Sequence, residues 1–136
     1  MRKKPSLAPL GESELELLHL VWEAGPSTVA EIHKLILKTR EVAYTTVMSA
    51  LKKLADKGYL DYTAQGNAYI YSASRPPHEV KFSLLRSILE KVFKGSSVDL
   101  VESLVKHESL SEEELRDIRR LIEEMDANST TEREAS

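Results

Sequence analysis

The chain contains no cysteine. That absence excludes a disulfide framework, a thiolate metal site and a thiol nucleophile, and it fits a reducing, cytoplasmic setting. Glycine and proline are scarce, five of each in 136 residues, which argues against a collagen-like or linker-dominated chain. No uninterrupted apolar run is long enough to cross a bilayer. Met1-Arg2-Lys3-Lys4 is basic but no apolar core follows it, so neither a secretory signal nor a membrane partner is expected. What is present is a soluble globular balance, 41% hydrophobic and 30% charged, of a size for one ordinary domain or two very small ones sharing a core.

Net charge is also low, at −3, but it averages two unlike halves. Residues 1–75 hold ten Lys/Arg against eight Asp/Glu, and residues 76–136 hold nine against fourteen. Between Ile32 and Leu60 six basic residues (Lys34, Lys38, Arg40, Lys52, Lys53, Lys57) outnumber Glu41 and Asp56. A phosphate backbone responds to local charge rather than to the total.

The hydrophobic period predicts three helices first. Leu15, Leu17, Leu18, Leu20, Val21 and Trp22 cover most of the circumference of a helix over 12–24, which must therefore be buried on more than one side. Ser13 and Glu16 have capping-box spacing there, and Gly11 is an equal alternative as cap. Gly25-Pro26-Ser27 ends that helix, and Thr28 with Glu31 opens a second one to about Thr39, with Val29, Ile32 and Ile36 inward. After an irregular Arg40–Ala43, a third helix runs from Tyr44 to Lys57 on Val47, Ala50, Leu51 and Leu54, with Gly58 placed to leave it through a left-handed conformation. The period then changes to two. Residues 59–63 and 68–72 alternate and are rich in β-formers, with Gln65-Gly66-Asn67 between them, which predicts a hairpin.

Arg75-Pro76-Pro77 marks the expected boundary between domains 1–75 and 76–126. Beyond it, helices are predicted over 78–94 (Phe82, Leu85, Ile88, Leu89, Val92), over 97–107 (Val98, Val101, Leu104, Val105) and from Ser111 onward. In the last, Ser111 and Glu114 form a capping box and Leu115, Ile118, Ile122 and Met125 follow at spacings of three and four. Residues 127–136 are polar and are expected to be a disordered tail.

Three helices followed by a hairpin define a mainly α chain built on a winged helix-turn-helix, whose third helix enters a major groove while the wing lies along the backbone. With the apolar stripe inward, the opposite face of that helix carries Thr45, Ser49 and Lys52. Met48 and Lys53 stand on its shoulders, and Tyr44 and Thr46 lie at its start. Hydroxyls bond base edges or phosphates, a methionine contacts a thymine methyl, and lysines neutralise phosphates. A solvated helix face is the plain alternative, and it loses weight because the basic cluster falls on the helix that the architecture selects.

Leu10-Gly11-Glu12-Ser13-Glu14, Val21-Trp22, Gly25-Pro26-Ser27-Thr28-Val29, Ala43-Tyr44-Thr45-Thr46-Val47, Leu51-Lys52-Lys53-Leu54, Lys57-Gly58 and Ala68-Tyr69-Ile70-Tyr71 resemble the penicillinase-repressor and methicillin-resistance-repressor family. Gly95-Ser96, Val101 and Leu110-Ser111-Glu112-Glu113-Glu114-Leu115 resemble its carboxyl-terminal part, so the likeness runs from about Leu10 to Met125. The resemblance implies a homodimeric repressor of double-stranded DNA, with winged helices on an inverted-repeat operator and a C-terminal three-helix dimerisation domain. The DNA-binding residues are then Tyr44, Thr45, Thr46, Met48, Ser49, Lys52, Lys53 and, in the wing, Asn67. The dimerisation residues are Val101, Leu104, Val105, Leu115, Ile118, Ile122 and Met125.

Two departures from the family pattern stand out. Its wing usually carries Gly-Arg where this chain has Gly66-Asn67, so the wing contact brings no charge. Its antibiotic-responsive members are cut at an Asn-Phe bond where this chain has Ser103-Leu104, so proteolytic induction does not carry over, and a membrane-bound sensor protease stays a candidate partner that no recognisable cleavage site supports. The paired cysteines of the copper-responsive branch are absent too.

The remaining chemistry-bearing residues have plainer readings. His19, His33, His78 and His107 lack the short spacing of a metal site, and no metal or other cofactor is expected. Glu112-Glu113-Glu114 compensates a helix dipole. Tyr59, Tyr62, Tyr69 and Tyr71 pack and pair across the wing rather than stacking on single strands. Trp22 is expected in the core. Arg2-Lys3-Lys4 reads as a DNA-contacting arm or as a solvated tail. With no phosphate loop and no nucleophile beside a base, an enzyme is not expected. The rival readings are a winged-helix module that binds protein, and a small-ligand sensor.

Overall fold

The computed structural model describes residues 8–135, with side chains through Ser129. Arg2-Lys3-Lys4 and the final residue of the expected tail lie outside the described residues. The described chain forms α1 (Glu12–Ala24), β1 (Ser27–Thr28), α2 (Val29–Ile36), α3 (Tyr44–Asp56), β2 (Leu60–Gln65), β3 (Ala68–Ala73), α4 (Pro77–Lys91), α5 (Ser97–His107) and α6 (Glu112–Ala135). The expected order of three helices and a hairpin is present.

Local chemistry explains the element limits. Gly11 is the N-cap of α1, and its amide donates to Glu14 Oε1 at 3.3 Å. At α2 the Glu31 amide donates to Thr28 Oγ1 at 3.1 Å and the Thr28 amide donates back to Glu31 Oε1 at 3.2 Å, a complete capping box. Helix α2 stops at Ile36, one turn before the predicted limit, and a turn follows in which the Thr39 hydroxyl donates to the Ile36 carbonyl. Gly58, at φ 92, takes the chain out of α3 in the left-handed region that glycine enters at no steric cost. In the wing the turn is the pair Gly66-Asn67. Gly66 has φ 62 and Asn67 is not left-handed, the pattern of a II′ turn with glycine at its first central position.

The sheet has three strands in the order β1-β3-β2, all antiparallel. Tyr62 lies opposite Tyr71, and Ser27 pairs with Tyr71 from the other side. Strand β1 was not anticipated from sequence, because two residues carry no period. It matters because an isolated two-strand hairpin is marginal in water and a third strand supports it.

The structure divides into two compact units, one ending at Ser87 and one beginning at Ile88. The division falls inside α4 rather than at Arg75-Pro76-Pro77. The first unit holds the core: Leu17, Leu18 and Val21 of α1, Ile32 and Ile36 of α2, Val47, Leu51 and Leu54 of α3, and Tyr59, Leu60 and Tyr71 of the sheet. Val80 of α4 is fully buried among them and Leu84 packs against them, which carries the unit past the prolines. Trp22 is half-buried at the margin of this core, edge-on to His19 at 5.1 Å, with Lys81 Nζ 6.0 Å from its ring centroid.

The second unit is helical. Ser96 caps α5 through a bond from the Asp99 amide, and Ser111 with Glu114 forms the capping box at the start of α6. The expectation of a disordered tail from residue 127 is corrected: α6 continues to Ala135. The apolar stripe ends at Met125, but neither glycine nor proline follows, and extending a formed helix adds a hydrogen bond for each residue fixed.

Candidate nucleic-acid interface

Helix α3 is inserted so that one stripe is sealed and the other is open. Val47, Leu51 and Leu54 are fully buried, whereas Thr45, Thr46, Met48, Ser49, Lys52 and Lys53 are exposed. Tyr44 opens the helix and is exposed as well. Ala43, the residue before it, offers no side-chain cap, and the turn is fixed from α2 instead. His33 Nε2 donates to the Val42 carbonyl at 2.7 Å, and its ring meets Tyr44 edge-on at 5.6 Å. His33 thus braces the entry to α3, a role that its place among scattered histidines did not reveal.

The other end of α3 is tied to α1. Lys57 Nζ donates to both carboxylate oxygens of Glu14 at 2.8 Å and to the Pro9 carbonyl at 3.1 Å, and the Tyr59 hydroxyl donates to the Ala8 carbonyl. The hydrogen bond from Lys57 holds the Glu14 carboxyl below its ordinary range, with help from the positive charge of Lys53. Burial pushes the Tyr59 phenol above its ordinary value, so it stays a donor. Glu14 also borders a shallow open hollow lined by Thr45, Thr46, Ser49, Ala50 and Lys53, which sets the first turn of α1 beside the outer face of α3. Arg40 pairs likewise with Glu16 at 2.8 Å. The positive excess counted between Ile32 and Leu60 is therefore partly neutralised, and Lys52 and Lys53 remain as exposed cations of α3 itself.

The wing presents Asn67 at its exposed tip. Of its tyrosines, Tyr59 and Tyr71 are buried, while Tyr62 and Tyr69 are exposed and meet edge-on at 5.2 Å. In the second unit Leu115 and Ile118 are half-buried, and Val101, Leu104, Val105, Ile122 and Met125 are exposed. Ser103 and Leu104 lie inside α5. Among the described residues no group of three or more His, Asp or Glu side chains is placed to hold a metal, and no helix is long and apolar enough to cross a membrane.

An open-faced third helix, braced by a second and flanked by a three-strand sheet with a projecting hairpin, makes this a winged helix-turn-helix protein. The profile described as penicillinase repressor matches residues 10–124, and the chain belongs to the penicillinase repressor family. It is similar to the penicillinase repressor of Bacillus licheniformis, 23% identical over 124 residues that cover 91% of this chain and 94% of that protein. It is also similar to the methicillin resistance regulatory protein MecI of Mammaliicoccus sciuri, 22% identical over 83% of this chain and 92% of that one. Among solved structures, the DNA-binding domain of the repressor BlaI aligns with a TM-score of 0.49 and 23% identity, covering 57% of this chain and 90% of that domain.

Proposed function

We propose that this protein is a sequence-specific transcriptional repressor that binds double-stranded DNA as a homodimer on an inverted-repeat operator. The observation that carries the reading is the outer face of α3. Short polar side chains occupy its first turns and two exposed lysines follow, on a helix rigidly held by His33 at one end and Lys57 at the other. Thr45, Thr46, Met48 and Ser49 read base edges, while Lys52, Lys53 and the Tyr44 hydroxyl hold phosphates. Asn67 adds an uncharged wing contact. Residues 8–87 form the DNA-binding unit, and the exposed stripes of α5 and α6, on Val101, Leu104, Val105, Leu115, Ile118, Ile122 and Met125, supply the self-association surface. The protein acts in the cytoplasm and, as a member of a family of repressors, is assigned no catalytic activity.

The test is a binding titration with DNA from immediately upstream of the chain's own coding sequence, against a scrambled duplex of equal length and composition. Specific binders hold their sites about a thousandfold or more above non-specific DNA. Equal affinity for the two duplexes would remove the reading.

A further inference from the structure

We propose that the hydroxyls of Tyr62 and Tyr69, on the face of the wing that continues the protein core, donate to backbone phosphates of the duplex beside the groove that α3 occupies. The proposal rests on the DNA-binding reading above and adds a contact that neither α3 nor Asn67 supplies. Three observations carry it. First, Leu60, Tyr62, Tyr69 and Tyr71 share one face of the hairpin, because Leu60 pairs with Ala73, Tyr62 with Tyr71 and Ala64 with Tyr69. Leu60 and Tyr71 are buried, whereas Tyr62 and Tyr69 are 55% and 52% exposed, so the aromatic face begins in the core and continues outward beyond it. Second, the two outer rings meet edge-on at 5.2 Å, and Tyr62 stands 5.9 Å from Tyr71, yet among the described residues neither outer hydroxyl has a hydrogen-bond partner. Third, this face is turned toward the end of the reading helix. Asp56, the last residue of α3, follows Thr45, Ser49 and Lys52 on one outer line at helical spacing. Burial first, and then the neighbouring Tyr62, Tyr69 and Asp56, hold the Tyr71 phenol above its ordinary value, which sets the inner end of the tyrosine face beside the end of that line.

Only Lys57, Gly58 and Tyr59 separate α3 from β2, so the hairpin springs from the carboxyl-terminal end of α3, the end that runs out toward the sugar-phosphate backbone in helix-turn-helix docking. From Leu60 to Ala64, the partner of Tyr69, a strand rises about 13 Å. A major groove is about 12 Å wide. The two tyrosines therefore stand at the phosphates bordering the groove and not over its bases. The only charged side chain of the hairpin, Asp61, points to the opposite face, so the wing itself sets no carboxylate against those phosphates. Tyrosine hydroxyls are recurrent donors to backbone phosphate. The edge-on packing of the two rings fixes both hydroxyls in advance, so little side-chain freedom is lost on binding. A wing without a cation at its tip thus holds the backbone through two directed, neutral donors.

The experiment measures affinity for the upstream duplex and for its scrambled counterpart as a function of salt. It uses the full chain, Tyr62→Phe, Tyr69→Phe, the two together, and a Thr63→Ala/Gln65→Ala variant of the opposite face of the wing. The phenylalanines keep both rings, so thermal unfolding by circular dichroism should match the parent. Each single Phe variant should weaken binding at least about fivefold, the scale of one net hydrogen bond. The loss should be equal on the two duplexes, because a phosphate contact carries no sequence information. The slope of log affinity against log salt should stay where it was, because that slope counts neutralised phosphates and a phenol neutralises none. The Thr63/Gln65 variant should bind like the parent. Parental affinity in the double Phe variant overturns the proposal. A loss confined to the upstream duplex overturns the backbone assignment, and a slope that falls with the affinity shows that cations were displaced and overturns the role of the hydroxyls. A loss in the Thr63/Gln65 variant with none in the Phe variants means that the other face of the wing meets DNA. A Lys52→Ala/Lys53→Ala variant separates the two levels of the argument. If it weakens binding while the Phe variants do not, the tyrosine contacts alone fail. If the full chain binds no duplex at all, the DNA-binding reading falls and the tyrosine contacts with it.

Discussion

Replacing Lys57 by methionine tests how α3 is held. The substitution keeps the apolar stem and removes the ammonium that bonds both Glu14 oxygens at 2.8 Å. The two side chains are only 29% and 18% exposed. Breaking a fully buried ion pair costs about 3–5 kcal/mol because the surviving charge is stranded, whereas an exposed pair is worth about 0–1 kcal/mol. A pair this far from solvent falls between, at about 2 kcal/mol. For a unit of this size each kcal/mol moves Tm by about 4–8 °C, so Lys57→Met should lower Tm by about 8–16 °C at pH 7. Thermal unfolding followed by circular dichroism measures it, with Glu14→Gln as the second arm of a double-mutant cycle. In the Glu14→Gln background the same Lys57 substitution should cost at least about 1 kcal/mol less, because no stranded carboxylate remains. The pH dependence has a definite sign. Since Lys57 lowers the Glu14 pKa from the ordinary 4.5, the stabilisation is complete above that value and disappears as pH falls through the lower, folded-state value. A cost below about 0.5 kcal/mol at pH 7, or an equal cost in both backgrounds, would show that the pair does not hold α3 against α1.

Ser49→Ala should narrow the gap between operator and scrambled DNA by about 1 kcal/mol, the low end of a base contact, and leave non-specific binding nearly intact; equal loss on both duplexes, with the fold intact, refutes the assignment. Lys52→Ala and Lys53→Ala should each reduce the salt slope by about one per phosphate contact in each subunit and weaken both duplexes together, and an unchanged slope in both would move the footprint off α3. Ile118→Glu with Ile122→Glu should give a monomer by sedimentation and weaken operator binding. A parent chain that already sediments as a monomer at micromolar concentration would exclude the proposed self-association.

Much of the architecture was legible because it rests on local signals. The limits of α5, Ser97 to His107, follow from a period of 3.6, and the α2 and α6 capping boxes are spelled out by residue type. The outward face of α3 was equally readable, since four apolar positions at helical spacing fix where the others point. What escaped depends on residues far apart. Glu14 and Lys57 are separated by 43 positions, and nothing near either one announces the other. Val80 reads like any apolar residue of a helix after the prolines, and only the packed structure shows it completing the core of the first unit. His33 was visible as a histidine but not as a brace, because the Val42 carbonyl it bonds is a backbone atom that every residue has. The tail misled for a different reason: loss of the apolar stripe at Met125 removes a reason for burial, not a reason for helix.

Thr28 belongs to two structures at once. It is the last residue of β1, opposite Ile70, and the N-cap of α2, accepting from the Glu31 amide. The alignment of the sheet and the starting point of the second helix are therefore a single variable. A one-residue slip between β1 and β3 would turn every paired side chain to the wrong face and would also pull the hydroxyl off the helix end. With Gly25 left-handed on one side and Val29 buried on the other, no slack is available to absorb an inserted residue. In an evolving lineage this stretch should tolerate changes of residue type while rejecting changes of length, whereas the exposed Gly66-Asn67 tip is free to grow.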